Sequence, residues 1–220
     1  MKINQFWLRI MGLSGVLGGI TLFVGDMLFY YDLESTNYLL NMGNASDYRI
    51  IASGVTALLA AWFYTFGIGQ VYVAFKPSKR IIRNIVLFCL ASIMISYGII
   101  HGAYVAIATT AKLAVDNNLE VEVSTDLAYR VNQALRNLVY PIFAILSLLF
   151  IHQVWMRKTL YPRWIVFFFP TLPFLLQGFL DPFLTGSLRI IILGGYLNLI
   201  MIVFFTASTI AMWNKGNEMV

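Results

Sequence analysis

Charge is scarce in this chain of 220 residues. Only 11% are Asp, Glu, Lys or Arg, where a soluble domain carries about 25%. The deficit excludes an ordinary water-soluble surface. Cysteine is almost absent. Cys89 stands alone, so no intramolecular disulfide, CxxC redox pair or cysteine zinc site can form. There are two histidines. His101 and His152 fall at depths about 20 Å apart on their helices, too far for one iron to join them. A zinc centre would need His101 with Asp26 and Asp181, a set poor in nitrogen ligands. No Gly-x-Ser-x-Gly elbow or serine paired with a nearby histidine is evident, which argues against nucleophilic serine catalysis. No metal or cofactor is expected. No Pro/Gly/Ser-rich linker, low-complexity tract or internal repeat divides the chain, and no cleavable signal is apparent.

What is present is apolar: 60% of residues are hydrophobic and the mean hydropathy is +0.77. A bilayer core of about 30 Å needs roughly 20 apolar helical residues. Six stretches meet this, at about 6–31, 50–75, 84–110, 131–155, 164–180 and 187–213. The expectation is a single all-α integral membrane domain over 1–220, a bundle of six transmembrane helices. The net charge of +5 reads as topology rather than nucleic-acid binding. Lys2, Arg9, Lys76, Lys79, Arg80, Arg83, Arg157, Lys158, Arg163 and Lys215 fall on one side, and the acidic connections on the other. The positive-inside rule places both termini in the cytoplasm and the acidic connections outside. Trp7, Trp155, Trp164 and Trp213 mark the same inner interface, while Trp62 lies mid-helix. The segment 112–125 reads as the one long polar loop, able to form a short surface helix.

Polar side chains inside the apolar runs are the functional signal, because charge at membrane depth is costly and faces a partner or a wet cavity. Asp26 lies about 8 Å below the outer end of its span. Gly12, Gly15, Gly19, Leu22 and Asp26 recur every three or four residues and form one stripe, so Asp26 should point into the bundle. His101 shares a face with Tyr97 and Tyr104. Gln133, Asn137, Tyr140, Ala144 and Ser147 share another, with Arg136 beside it. Gln177 and Asp181 close the fifth span; Arg189 begins the sixth, with Asn198 about 15 Å deeper. Ser53, Thr56, Ala60 and Tyr64 line the second. The inner half is mainly Leu, Ile, Val and Phe, which weakens a transport reading.

The expectation is an outward-facing pocket for a small molecule or lipid headgroup. Asp26 would be its charged anchor and Arg136 the counter-ion or an anion clamp. His101, Asn137, Tyr140, Gln177, Asn198 and Tyr64 would supply hydrogen bonds. The plainer reading of these residues is interhelical hydrogen bonding, with Asp26 paired to Arg136. The rival function is a lipid hydrolase with Asp26 and Asp181 as catalytic carboxylates, one held as the acid and the other acting as base. Membrane lipid is the expected partner, with self-association open. His152 is expected to be a packing residue. Pro170 and Pro173 either kink the fifth span, the plainer reading, or mark a discontinuous helix bordering a cavity, and Pro141 should bend the fourth.

The segments Gly25-Asp26-Met-Leu-Phe-Tyr-Tyr31 and Trp62-Phe-Tyr64-Thr-Phe-Gly67-Ile-Gly-Gln70-Val-Tyr72, with His101-Gly-Ala-Tyr104, resemble an uncharacterised family of multi-pass bacterial membrane proteins. A weaker likeness is to the membrane lysoplasmalogenase family, through Gly25, Asp26, Gly67 or Gly69, and Tyr72. That likeness implies the lipid hydrolase above. The later Ser-Asp motif of that family has no counterpart here, since Asp181 follows Leu180, and the predicted spans are fewer.

Overall fold

The computed structural model describes residues 4–33 and 35–218; Lys2, one of the basic residues used for orientation, lies outside them. The described residues are helical without a strand. Helix α1 spans Gln5–Tyr30, α2 Tyr38–Asn44, α3 Asp47–Ala74, α4 Arg80–Asp116 and α5 Val121–Trp155. Asn4, Asn37 and Ser46 cap α1, α2 and α3 by accepting backbone N–H bonds, which meets donors no helical carbonyl can reach. After α5 come a 3-10 turn at Arg163–Phe168, α6 at Thr171–Leu180, a 3-10 turn at Asp181–Phe183, α7 at Gly186–Arg189, a π turn at Ile190–Gly194, α8 at Tyr196–Met212 and α9 at Lys215–Glu218.

Four helices, α1, α3, α4 and α5, are long and apolar enough to cross a membrane. A fifth crossing is formed if the pieces Gly186–Gly194 and Tyr196–Met212, bent by 61° at Gly195, act as one span. The expected fifth span, 164–180, is not one helix. Pro170 stands at its break and Pro173 in the first turn of α6, where a missing N–H costs nothing. The prolines therefore interrupt the segment rather than kink it. The polar loop expected at 112–125 is also shorter. Helix α4 runs to Asp116 and α5 begins at Val121, and the charges pair along the helix surfaces, Lys112 with Asp47 and Asp116, and Arg130 with Asp126. Helix α5 continues through Pro141.

α1 lies at the centre, packed on α3 and α8; α4 packs on α3 and α5, and α2 lies across α4. The stripe along α1 is its buried face, with Gly12, Gly15, Gly19, Leu22 and Asp26 all buried. At Gly67 an added Cβ would stand 2.7 Å from the Cα of Gly15, so the glycines let α1 and α3 approach backbone to backbone. Ile51, Leu58, Phe88, Ile95, Leu138 and Leu148 are more than half exposed. One core cluster stacks Phe75, Phe150, Phe169, Phe204 and Phe205. A second, near α2, holds Phe29, Tyr30, Met42, Ile107 and Ile190.

Candidate functional site

The carbonyls at the end of α1 are met by two side chains, Arg49 and Asn41. Arg49 donates to Leu28 O at 3.0 Å, to Tyr31 O at 2.8 Å and to Met27 O at 3.4 Å. Asn41 donates to Tyr30 O and Ser35 O. These bonds hold the last turn of α1, and with it Asp26, against α3 and α2.

Asp26 is 8% exposed. Its Oδ1 lies 3.3 Å from His101 Nδ1, and its Oδ2 accepts from Asn198 Nδ2 at 2.6 Å. Three helices, α1, α4 and α8, thus meet at one carboxylate. The far ring nitrogen, His101 Nε2, lies 2.9 Å from Ser53 Oγ and 3.1 Å from Ser53 O. The Ser53 hydroxyl donates to Gly25 O at 2.7 Å. With that hydrogen committed, Nε2 is placed to donate to Ser53, and Nδ1 faces the Asp26 carboxylate.

A serine is therefore paired with a histidine, contrary to the sequence reading. The contact joins positions 48 residues apart on different helices, which no linear motif displays. It is not a nucleophile site. Ser53 is fully buried, does not line the cavity below, and its hydroxyl is held by a carbonyl. Nucleophilic catalysis needs an oxygen that substrate can reach.

Asp26, His101 and Asn198 line a cavity of about 680 Å³. It opens among α1, α2, α4, α5, α6 and α8 where the two core clusters meet, with Leu22 and Ile93 from one and Tyr30, Met42 and Ile107 from the other. The walls are aromatic: Tyr30, Tyr38, Tyr97, Tyr104, Tyr129, Tyr140 and Tyr196 all contribute, with Phe143 and Phe174. Toward α2 it is lined by Thr36, Asn37, Tyr38 and Arg189. Burial pushes the Tyr38 phenol above its ordinary range. The irregular 163–195 segment supplies Pro170, Phe174, Gln177 and Gly194; broken helices at membrane depth characteristically border such spaces.

Arg136 lines the cavity and donates from Nη1 to Tyr104 Oη at 3.0 Å. The simplest ion pair read from the sequence, Asp26 with Arg136, is replaced by Asp26 with His101. Tyr140 and Gln177 also line the cavity. Asn137 does not. It is exposed and accepts from Gln133, because the inward face of α5 runs through Tyr129, Arg136, Val139 and Phe143, one position away from the expected stripe. Tyr64 is buried against Tyr97 and Phe205, away from the cavity wall. Asp181 is bound to Arg189 Nε at 2.8 Å and does not line the cavity, so the two aspartates do not flank a common space. His152 is exposed, beside Gln153, rather than packed inside. Among the described residues no three His, Cys, Asp or Glu could hold a metal ion.

The other end of the bundle is less apolar than its composition suggests. Tyr161 Oη lies 2.6 Å from Ser208 Oγ, Ser208 donates to Gln70 Oε1 at 2.7 Å, and Gln70 Nε2 donates to Leu8 O at 2.9 Å. This closed chain satisfies its members and is structural. Tyr30, Tyr38, Tyr196 and Phe174 went unnoticed as cavity residues in the sequence. Only Tyr30 carried a signal, four residues after Asp26 and so on its stripe.

The chain belongs to DUF6796, a family of unknown function that matches residues 1–215. This agrees with the resemblance to an uncharacterised family. The lysoplasmalogenase likeness is not shown. Comparison with curated proteins and with solved structures gave no match.

Proposed function

We propose that this is a multi-pass protein of the bacterial inner membrane that binds a small molecule or a lipid headgroup in a polar pocket facing away from the cytoplasm. The observation that carries the reading is the cavity of about 680 Å³ with Asp26, His101, Asn198 and Arg136 in its wall. That volume falls in the range of about 300–1,000 Å³ typical of small-molecule sites, which likewise pair apolar walls with a few convergent polar groups.

In this reading the chain makes six passes with both termini in the cytoplasm, the fifth and sixth passes being broken. Support comes from the end opposite the pocket. Lys76 and Lys79 follow α3, and Arg157, Lys158 and Arg163 follow α5. Trp7, Trp155 and Trp213 are exposed there, with Arg9 and Arg163 stacked over Trp213 and Trp155. Basic loops and amphipathic rings mark a cytoplasmic interface. The engagement of Asp181 with Arg189 gives the hydrolase reading no comparable support.

The test is to fill the cavity. Protein extracted into nanodiscs made from its own membrane is expected to retain a low-mass ligand detectable by native mass spectrometry. Leu197→Trp, which places a large ring at the cavity wall, should fold but lose that ligand. Equal occupancy in both proteins, or none in either together with no stabilisation by any compound of a lipid panel, would overturn the reading.

A further inference from the structure

The arginines near the pocket end do not share one fate. Arg49 is met by three backbone carbonyls, Arg130 by Asp126 and Arg189 by Asp181. Arg136 alone of these four is met only by a neutral phenol, Tyr104 Oη, and its guanidinium lines the cavity. Asp26, the carboxylate lining the same cavity, is held by His101 and Asn198 instead. A guanidinium carries five N–H donors in a planar fork suited to a carboxylate or phosphate. A cation in a site of low dielectric without a counter-ion is costly.

A second, independent feature lies at the cavity floor. Asn198 is 4% exposed and lines the cavity. Its amide nitrogen is spent on Asp26, while its Oδ1 is buried without a hydrogen-bond partner. An orphaned buried acceptor is destabilising until a donor reaches it. The wall between these two poles is apolar and aromatic, with Ile93, Tyr97, Ile100 and Phe143.

We infer, resting on the pocket reading above, that the ligand is an anionic amphiphile bearing a hydroxyl group. Its acidic group, of the phosphate or carboxylate kind, lies on Arg136 and the Tyr104 hydroxyl, its O–H donates to Asn198 Oδ1, and its hydrocarbon follows the aromatic wall. Arg136 supplies the charge that selects an anion over a neutral headgroup of the same size. Asn198 selects a headgroup with a donor. The acidic group could come from a lipid or from a free anion, and the probes below separate the two.

Calorimetric titration in a non-ionic detergent with four probes tests this: 1-oleoylglycerol 3-phosphate, oleyl phosphate, 1-monooleoylglycerol and inorganic phosphate. The glycerol phosphate should bind saturably, at least tenfold more tightly than monooleoylglycerol and several-fold more tightly than oleyl phosphate, which lacks the hydroxyls. Arg136→Gln should weaken it at least tenfold, to the level of the neutral lipid. Arg136→Lys keeps the charge without the fork and should fall between them, which separates lost recognition from lost folding. Inorganic phosphate should fail to compete at millimolar concentration; full competition would overturn the amphiphile and leave a free anion as ligand. Equal binding of the neutral lipid, unchanged by Arg136→Gln, would overturn the anion inference while leaving the pocket intact. No binding of any probe, with Leu197→Trp indistinguishable from the parent, would bring down the pocket reading itself.

Discussion

Asp26 is a carboxylate on the buried face of an apolar helix. It is nearly excluded from solvent and is held by groups on two other helices. Removing one member of such a buried pair leaves the other uncompensated, at a cost of about 3–5 kcal/mol, whereas replacing both with apolar residues is often neutral. Asp26→Leu and His101→Leu are each expected to lower the unfolding free energy by about that amount, and the double variant to lie above either single one. A double variant as unstable as the sum of the singles, measured by denaturant titration in detergent, would show that the two side chains act independently. His152→Ala, at an exposed position, should change stability by less than about 0.5 kcal/mol and serves as the reference.

At the scale of elements, the decisive contact is between α1 and α3. Gly15 and Gly67 remove the side chains that would hold the two backbones apart. Gly67→Ala puts a methyl group against backbone, which cannot yield as a flexible side chain would, and should cost about 1–3 kcal/mol as overpacking. Gly102 in α4 has nothing within 4 Å of an added Cβ. There Gly102→Ala should gain about 0.5–1 kcal/mol by restricting the unfolded chain. Opposite signs for the two substitutions in a thermal melt identify close approach, not helix propensity, as the reason for Gly67. Around the cavity the elements differ in kind. α1, α4 and α5 are long continuous helices, while the 163–195 segment is a series of short turns and short helices. α6 has no buried residue and meets α5 through Tyr140–Phe174 and Phe143–Phe174 ring contacts.

For the whole molecule, orientation is the testable property. Cys89 is the only cysteine and is buried, so the parent protein should resist a membrane-impermeant maleimide in intact cells. Leu119→Cys, at the exposed turn between α4 and α5, is expected to label from outside. Lys158→Cys, at the opposite end of α5, should label only after permeabilisation. The reverse pattern would invert the proposed topology and place the pocket on the cytoplasmic face.

Composition and hydrophobic runs by themselves decided that the chain is helical and that several helices are long and apolar enough to cross a membrane. Those properties are set locally, by transfer free energy summed along about 20 residues. The spacing of Gly12, Gly15, Gly19, Leu22 and Asp26 likewise decided which face of α1 is buried, because helical periodicity is a one-dimensional property. The site was legible only in part. Asp26, His101, Arg136, Tyr140, Gln177 and Asn198 could be picked out as polar groups stranded in apolar sequence, and they line one cavity. Their pairing could not, because it depends on the rotation of each helix about its own axis. A turn of one residue on α5 brings Arg136 inward and leaves Asn137 outside. The same freedom decided that Asp26 meets His101 rather than Arg136, that Ser53 lies under the imidazole, and that Asp181 bonds Arg189. The break at Pro170 and the bend at Gly195 were also matters of tertiary structure: a proline permits an interruption, but only the neighbouring helices determine whether the chain kinks or stops.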